Sequence, residues 1–326
     1  MPKDTNDPIV IVAARRTPIG SFQGQFAHVS ATKLGAAAIK ATVDDAGIKL
    51  EDISEVIMGC VLPAGLGQAP ARQASLGADI PKSVGCTTVN KVCGSGMKAT
   101  MLAHDMIAAG SADIVVAGGM ESMTNAPYLI PGARAGLRMG HQQILDHMFF
   151  DGLQNPYDGQ MMGTFGEQCA DKYKFTREQQ DAFAIESVKR AQKAIKDGTF
   201  KKEIVTITVK ERKGEHVVDH DEEPGRCNIE KIPSLKPAFK KDGGTVTAAT
   251  SSSISDGAAA LVLMRESEAK KRGLKPLTRI AGHASFAQEP AWFTTAPVGA
   301  IDKLQKKLGW SEKDVDLYEI NEAFAV

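Results

Sequence analysis

A β-branched strand leads directly into a glycine-containing turn and an apolar helix at residues 87–109, and this stretch constrains the fold most. Thr87–Val89 suits a buried strand, and the apolar spacing that follows predicts a helix ending at Gly110. Strands that alternate with helices in this way are typical of an α/β sheet. Cys93 lies in the turn, at the predicted N-terminus of the helix.

Cys93 has the surroundings of a reactive thiol. The free N–H groups and the positive dipole end of a helix N-terminus favour an anion, so the sequence predicts a stabilised thiolate. Gly94 and Gly96 have no Cβ, which allows a substrate carbonyl group to approach the sulfur. Two alternatives are an inert buried cysteine and a dinucleotide site at Gly94-x-Gly96-x-x-Ala99. The second lacks its acidic residue, because Asp113 precedes the next strand.

Charge and cysteine content exclude several classes of protein. Acidic and basic side chains number 39 each, so no overall field favours nucleic acid or an anionic membrane. The five cysteines form no Cys-x-x-Cys pair, which argues against a disulfide framework or a metal site. Met1–Asp7 has no apolar segment of the signal-peptide kind, and no run reaches membrane-spanning length. We therefore expect a cytoplasmic protein without a metal.

The chain divides into α/β parts separated by an insertion. The 326 residues, 43% of them hydrophobic, are enough for two or more domains. Between about residues 120 and 244 the composition shifts towards Met, Tyr and charged residues, and Thr176 and Gln179 form a capping-box pattern. The predicted strands are Ile9–Ala14, Val56–Val61, Ile114–Ala117, Ile204–Val209, Thr245–Thr247 and Ala258–Met264, and the predicted helices are Thr32–Ala46, Arg177–Lys196 and Ser267–Arg272. An α/β sheet with helices on both faces follows.

The end of the chain repeats its beginning. Ala46–Ile48 aligns with Leu308–Trp310, and the strand Val56–Met58 aligns with Tyr318–Ile320. This repeat predicts two halves with one supersecondary plan, the second of which stops before its own counterpart of the Cys93 helix.

Several segments together resemble the thiolase family. Asn90–Ala99 is similar to the thiolase nucleophile motif, and Asn321–Ala325 is similar to its Asn-Glu-Ala-Phe motif. Other segments that fall in the family's order are Gly118–Met123, Asp151–Leu153, Met162–Thr164 and Asp256–Ala260. The resemblance covers the whole chain, is greatest for the acetyl-CoA acetyltransferase branch, and leaves little room for an inert Cys93.

The resemblance implies a fold and an assembly. The expected fold is the thiolase fold, an α/β architecture of two similar halves stacked as five layers with an inserted loop domain, here with an incomplete second half. The N-terminal half would be residues 1–119 completed by 245–273, the loop domain covering coenzyme A residues 120–244, and the start of the C-terminal half residues 274–326. A homodimer or homotetramer without a cofactor is expected, with acetyl-CoA and acetoacetyl-CoA as partners.

The resemblance also implies a reaction. Cys93 would take an acetyl group from acetyl-CoA, and a second acetyl-CoA would attack it in a Claisen condensation that yields acetoacetyl-CoA and CoA. The Cys93 backbone N–H is a candidate oxyanion donor, and Asn321 would hold a water that stabilises an enolate-like oxygen. Ser252 matches a pantetheine contact, and Arg226 a position facing the adenine or phosphates. Residues that match the tunnel lining are Leu153, Met162, Phe239, Ala323 and Phe324.

Two departures from the family pattern affect this expectation. Met161 stands where biosynthetic members often have His, which bears on acyl-chain preference. The family's base in a Gly-His-Pro segment and its second cysteine are absent from the 326 residues, so we expect both to lie beyond Val326 and this chain to be inactive or weakly active. The alternatives are a degradative 3-ketoacyl-CoA thiolase and, in another class, a non-catalytic acyl-CoA binding protein. A ketoacyl synthase ranks below these.

Overall fold

The computed structural model describes residues 7–212 and 214–326, so residues 1–6, which carry part of the localisation expectation, lie outside the described residues. The strands are β1 (Ile9–Arg16), β2 (Gly20–Ser21), β3 (Glu55–Gly59), β4 (Gly85–Val89), β5 (Ile114–Ser122), β6 (Tyr128–Leu129), β7 (Leu145–Asp146), β8 (Ile207–Glu211), β9 (Gly214–Val218), β10 (Ser255–Arg265) and β11 (Thr278–Arg279). The α-helices are α1 (Ala31–Ala46), α2 (Pro70–Gly77), α3 (Ser95–Ala109), α4 (Met162–Tyr173), α5 (Arg177–Lys196), α6 (Glu223–Arg226), α7 (Glu266–Lys271) and α8 (Ala296–Leu308). Short 3-10 helices occupy Leu50–Asp52, Ala133–Ala135, Thr199–Lys202, Ile229–Ser234, Pro290–Thr295 and Glu312–Asp314, and a π-helical turn occupies Met148–Leu153.

The chain forms two compact units. Unit 1 comprises Met1–Gly152, Gly198–Glu223 and Ile254–Ile280, and unit 2 comprises Leu153–Asp197, Pro224–Ser253 and Ala281–Val326. The domain boundaries predicted from the sequence, at residues 119, 244 and 273, cut the chain at other places and stay a prediction. None of the described helices combines the length and the apolar character that crossing a bilayer requires.

A mixed sheet is the centre of unit 1. Its strand order is β11-β1-β10-β5-β3-β4, and β2 pairs with β10. The strand β3 runs parallel to both β4 and β5, whereas β10 runs antiparallel to β1 and β5. The α/β sheet predicted from the sequence is therefore present in unit 1.

Helices cover both faces of this sheet, as the sequence predicts. Successive side chains of a strand point to opposite faces. Val56 and Met58 of β3 belong to the core cluster that contains Leu34 of α1, while Ile57 between them belongs to a second cluster that contains Ile107 of α3. All five side chains are at most 1% exposed, so each face of the sheet is sealed by its own helix.

Unit 2 is built from α4, α5, α8 and irregular connections. The helix α5 begins and ends at the predicted residues, and the capping box is present, with the Thr176 side chain accepting from the Gln179 N–H and the Gln179 side chain accepting from the Thr176 N–H. The N-terminus of a long, largely polar helix is thereby fixed locally. The rings of Phe165 and Phe293 meet edge-on with centroids 6.4 Å apart, and this contact joins α4 to the segment before α8.

Two strands predicted from the sequence do not form. Residues 245–247 have irregular backbone, and Tyr318–Ile320, predicted as a strand by the internal repeat, is also irregular. The side chains of Tyr318 and Ile320 are 43% and 45% exposed. A strand needs a neighbour to receive its backbone hydrogen bonds, and the described residues of unit 2 contain no strand. Both strand predictions are therefore wrong.

Candidate active site

The nucleophile candidate lies between a strand and a helix in unit 1. The strand β4 ends at Val89, and α3 begins at Ser95 with Gly94 as its N-cap, so Cys93 is one residue outside the helix. Cys93 is an exposed free cysteine. The predicted helix end at Gly110 is confirmed, since Gly110 caps α3 in the left-handed conformation. The thiol is thus presented at the strand-to-helix turn that the sequence predicts.

Side-chain hydrogen bonds fix the backbone of this turn. Val92, which precedes the nucleophile, has a φ of +46°, a strained conformation for a β-branched residue. Its N–H donates to Asn90 Oδ1 at 2.9 Å, and its carbonyl oxygen accepts from Ser95 Oγ at 2.6 Å. The Ser95 hydroxyl also accepts from the Lys91 N–H at 2.8 Å. The turn is therefore held from both sides of Cys93.

Glycines allow the sheet to approach this turn closely. A Cβ on Gly59, the last residue of β3, would lie 2.5 Å from the Ser95 carbonyl carbon. A Cβ on Gly119 of β5 would lie 3.3 Å from the Cα of Gly96. Backbone therefore packs on backbone where α3 starts, and any other residue at Gly59 would push the start of the helix away from the sheet.

The electrostatic expectation for Cys93 is wrong. The sequence predicts a stabilised thiolate, yet the pKa of Cys93 is raised. Although the residue is exposed, protein atoms around its thiol reduce hydration, and this desolvation is the largest cause. Its own backbone N–H acts in the opposite direction, and the negative charge of Glu121 raises the pKa further. Cys93 precedes the N-cap of α3, outside the first turn where the helix dipole acts most strongly.

Glu121 is a polar residue beside the nucleophile that sequence reasoning left without a role. Its carboxylate accepts from the N–H groups of Val61 and Leu62, at 2.7 and 3.1 Å, and from the Cys60 thiol at 3.6 Å. Desolvation raises the pKa of Glu121, while the two N–H donors act against that rise. The same desolvation, with the Glu121 charge, raises the pKa of Cys60 to about 12. The signal in the sequence was a carboxylate four residues after the apolar run Ile114–Ala117.

His147 is the second polar residue of this region. The sequence indicates a surface or packing role for the histidines, and His147 is 4% exposed. Its Nε2 accepts from the Ala64 N–H at 3.4 Å, so its Nδ1 carries the proton and donates to Asp151 Oδ2 at 2.5 Å. His147 also interacts electrostatically with Glu121. The spacing of His147 and Asp151, four residues apart, was the available sequence signal.

In unit 2, several residues predicted to bind coenzyme A come together. The ring of Phe239 lies against Gly163, where a Cβ would approach to 2.2 Å, and Gly163 directly follows Met162 at the start of α4. The rings of Phe239 and Phe324 meet edge-on with centroids 6.3 Å apart. An aromatic cluster, defined by Phe239, Phe324 and Phe293, therefore lies next to Met162.

Ser252 is joined to this aromatic cluster through the backbone. Its N–H donates to the carbonyl oxygen of Ala323 at 2.9 Å, and Ser251 forms an isolated antiparallel bridge with Phe324. The Ala325 N–H closes the pairing by donating to the Thr250 carbonyl oxygen at 2.8 Å. The segment carrying Ser252 and the segment carrying Ala323 and Phe324 are thus held as one surface.

A buried glutamate supports this surface. Glu167 of α4 is 4% exposed and accepts from the Thr245 N–H at 2.9 Å, the Thr245 hydroxyl at 2.9 Å and the Val246 N–H at 2.9 Å. Thr247 and Thr250 then hydrogen-bond to each other's backbone N–H groups, at 2.7 and 3.3 Å. The irregular backbone at residues 245–253 is therefore set by side chains instead of by a sheet.

The remaining predicted site residues lie on other elements. Asn321 is an exposed residue that precedes Ala323 in the same irregular segment. Leu153 ends the π-helical turn, and Arg226 is an exposed residue at the end of α6. Their roles stay predictions, as do the roles of Cys93 and the residues around Phe324.

Comparisons with known proteins identify one family and one fold, and the chain spans about four fifths of the length of the relatives it matches. Residues 9–267 match the family model described as thiolase, N-terminal domain, and residues 274–326 match thiolase, C-terminal domain. The chain is 50% identical to an acetyl-CoA acetyltransferase of Schizosaccharomyces pombe, over 98% of the chain and 82% of that relative. It is 50% identical to acetyl-CoA acetyltransferase 1 of Arabidopsis thaliana, over 98% of the chain and 77% of that relative. The crystal structure of Acat5 thiolase from Ascaris suum in complex with coenzyme A superposes with a TM-score of 0.92 at 43% identity, covering 98% of this chain and 81% of that one.

Proposed function

The chain belongs to the thiolase family and has the thiolase fold, and from this premise we propose that it is an acetyl-CoA C-acetyltransferase. It condenses two acetyl-CoA molecules to acetoacetyl-CoA and CoA through an acetyl-Cys93 intermediate, and catalyses the reverse thiolysis. The observation that carries this proposal is the 50% identity over 98% of the chain to relatives that bear that name. The exposed position of Cys93 at the strand-to-helix turn supports it.

The chemistry follows from the position of Cys93. Its sulfur attacks the thioester carbonyl of acetyl-CoA, a sulfur–carbon bond forms, and CoA leaves and takes up a proton. A second acetyl-CoA loses a proton from its α-carbon to a base, and the resulting carbanion attacks the acetyl group on sulfur. The Cys93–acyl bond breaks, releasing acetoacetyl-CoA. Because the pKa of Cys93 is raised, the first step requires a proton acceptor for the thiol.

Oxyanions form in both steps, and we assign donors to them. The Cys93 backbone N–H serves the acyl oxygen, since it belongs to a turn fixed by Asn90 and Ser95. Asn321 holds a water that stabilises the enolate oxygen of the second acetyl-CoA. Its exposure and its place two residues before Ala323 leave its amide accessible for such a water.

The unit 2 surface is the proposed coenzyme A contact. Ser252 is assigned to the pantetheine. The apolar residues around Phe324 are assigned to the pantetheine tunnel, because their side chains form an apolar wall beside a polar backbone segment. Arg226 is assigned to the adenine or phosphates. The tunnel residues are Leu153, Met162, Phe239, Ala323 and Phe324.

The assembly and environment are also proposals. A homodimer or homotetramer is supported by the β6–β7 hairpin region, where Tyr128, Met139 and Ile144 are 63%, 92% and 62% exposed. The cytoplasm is supported by the five free cysteines. No resident cofactor is assigned, because the thiol chemistry needs only the coenzyme A thioesters as substrates.

An acetoacetyl-CoA thiolysis assay tests the function. Because the 326 residues contain no Gly-His-Pro segment, the purified protein should consume acetoacetyl-CoA only slowly in the presence of CoA. Incubation with acetyl-CoA should leave one acetyl group on the Cys93 peptide, detected by mass spectrometry. Cys86→Ala is the matched control, because Cys86 is a half-buried cysteine on the preceding strand. Faster cleavage of long-chain 3-ketoacyl-CoA would indicate a degradative thiolase. Coenzyme A binding without acetylation of Cys93 would indicate a binding protein and overturn the proposal.

A further inference from the structure

Glu121 makes contacts that the proposed reaction does not use. It lies near the end of β5 and bonds three consecutive residues of the loop after β3, namely Cys60, Val61 and Leu62. A carboxylate removed from bulk water is costly unless several donors compensate it. The loop supplies those donors, so Glu121 and the backbone at Val61 are fixed against each other.

The hydrogen bonds continue from this loop to the nucleophile. The Val61 carbonyl oxygen accepts from Asn90 Nδ2 at 3.3 Å. The other end of the same amide, Oδ1, accepts from the Val92 N–H at 2.9 Å. Both backbone groups of Val61 are therefore engaged, one by Glu121 and one by Asn90. A continuous path joins the Glu121 carboxylate to the residue before Cys93.

The end of this path is the strained part of the turn. Val92 holds a φ of +46°, which an L residue with a branched Cβ adopts only when its surroundings enforce it. The Asn90 bond to the Val92 N–H is one such constraint, and Asn90 is itself held by Val61. Loss of either bond would let Val92 relax towards negative φ and swing Cys93.

We propose that Glu121 is a positioning residue for the nucleophile, which acts on Cys93 through Val61, Asn90 and Val92. The proposal rests on the function proposed above for Cys93. Glu121 does not touch the reacting atoms in this role. It fixes the conformation of the turn that presents the Cys93 thiol, and it does so by accepting from the Val61 N–H while Asn90 binds the Val61 carbonyl oxygen.

This positioning has an electrostatic consequence that can be measured. The groups that interact with the Glu121 carboxylate are Cys60, His147 and Cys93. The negative charge raises the pKa of Cys93. Removing the charge and removing the hydrogen-bond path therefore have separate signatures, since only the first shifts the pH profile of the thiol.

The test combines two variants and their double variant. Glu121→Gln keeps the side-chain shape but places an amide N–H₂ beside the loop N–H donors, whereas Asn90→Ala cuts the path and leaves the charge in place. Each should lower kcat for acetoacetyl-CoA thiolysis by about 10- to 100-fold with little change in KM. The double variant should lose no more than the stronger single variant, because both break one path. Glu55→Gln, at the other end of β3, is the control that should keep wild-type kcat.

Two further measurements separate this proposal from a general loss of stability. Deuterium exchange of the peptide covering residues 90–95 should accelerate in both single variants and not in the control. The pH profile for alkylation of Cys93 by iodoacetamide should move to lower pH in Glu121→Gln only. The proposal is overturned if the kcat losses of the two single variants multiply in the double variant. It is also overturned if deuterium exchange of residues 90–95 is unchanged in Glu121→Gln. If acetyl-CoA does not acetylate Cys93 in the wild-type protein, the proposed function fails, while the exchange experiment still decides the positioning role.

Discussion

The turn that carries Cys93 in unit 1 and the surface that carries Ser252 in unit 2 are held by different means. Around Cys93, strands in parallel register and backbone-to-backbone contacts at Gly59 and Gly119 define the position of the turn. Around Ser252 there is no sheet among the described residues, and the buried carboxylate of Glu167 organises the loop. In the first region an added Cβ at Gly59 would clash with backbone, while the second region depends on a few side chains.

This difference indicates how each region should respond to change. A clash between backbone atoms in a close-packed sheet cannot be relieved by moving one strand, because that movement displaces the neighbouring strands. A loop held by side-chain hydrogen bonds can move by itself when one bond is lost. We therefore expect a substitution at the backbone contact of Gly59 to lower stability and kcat together, and a substitution of Glu167 to affect coenzyme A binding more than kcat.

Cys93→Ser has the largest expected effect. A hydroxyl is a far weaker nucleophile than a thiolate, so thiolysis of acetoacetyl-CoA should fall by at least about 1,000-fold. The fold should be unchanged, since the side chain is exposed. Steady-state kinetics measures the loss, and coenzyme A binding by calorimetry should persist in the variant. Retention of a tenth of the wild-type rate would remove Cys93 from the mechanism.

Gly59→Ala tests the backbone contact of unit 1. The new Cβ would lie 2.5 Å from the Ser95 carbonyl carbon and 2.7 Å from the Gly96 nitrogen, so β3 and α3 must separate. We expect a loss of about 2 to 3 kcal/mol in the free energy of unfolding and a parallel fall in kcat. Chemical denaturation measures the first quantity. Gly225→Ala, with no atom within 4 Å of its added Cβ, is the control and should show no loss.

Glu167→Gln tests the side-chain support of unit 2. Glutamine can keep an oxygen where Glu167 accepts from the Thr245 and Val246 N–H groups, but its N–H₂ then replaces the oxygen that accepts from the Thr245 hydroxyl, so that hydroxyl loses its acceptor. The free energy of unfolding should fall by about 1.5 to 2 kcal/mol. KM for coenzyme A should rise more than kcat falls, because Ser252 and Phe324 depend on this loop.

The control for Glu167→Gln is Glu178→Gln. Glu178 is exposed in the first turn of α5, so its loss should lower the free energy of unfolding much less, through the helix dipole alone. An equal effect of the two substitutions would contradict the supporting role of Glu167, as would a fall in kcat at constant KM.

The sequence predicts unit 1 better than unit 2 for the same physical reason. Buried strands carry apolar runs, and the runs around Ile57 and Val115 identify β3 and β5 and the helices on both faces. The backbone around Thr245 is set by a carboxylate far away in the chain, and no local pattern reports such a contact. The internal repeat predicts a strand at Tyr318–Ile320, but no strand forms there, and no partner strand exists among the described residues of unit 2.

The candidate site likewise contains some features that the sequence predicts and others that it does not. The position of Cys93 at the turn could be predicted, because glycines and a following apolar helix mark it in the sequence. Its raised pKa could not, since desolvation and the charge of Glu121 come from β3 and β5 packing beside the turn. The contact between Phe239 and Phe324 likewise joins segments that are remote in the chain.

The smallest predicted effect concerns the pH dependence of Cys93 alkylation. It compares the N–H groups at the start of α3, which favour the thiolate, with the desolvation and negative charge that oppose it. Because the pKa of Cys93 is raised from its ordinary value of 9.0, the reactive thiolate is a minor species at neutral pH. Alkylation of Cys93 by iodoacetamide should therefore accelerate about tenfold for each pH unit and keep rising through pH 9. Cys60, whose pKa is raised to about 12 and which is 1% exposed, should stay unmodified in the folded protein.

An alkylation rate that levels off well below pH 9 would mean that the pKa of Cys93 is lowered and not raised. It would mean that the N–H groups at the start of α3 stabilise the thiolate by more than desolvation and Glu121 oppose it. The same profile measured on Glu121→Gln gives the size of the carboxylate's share, since desolvation by the surrounding atoms remains. The difference between the two midpoints is then the electrostatic cost of holding the turn with a negative charge.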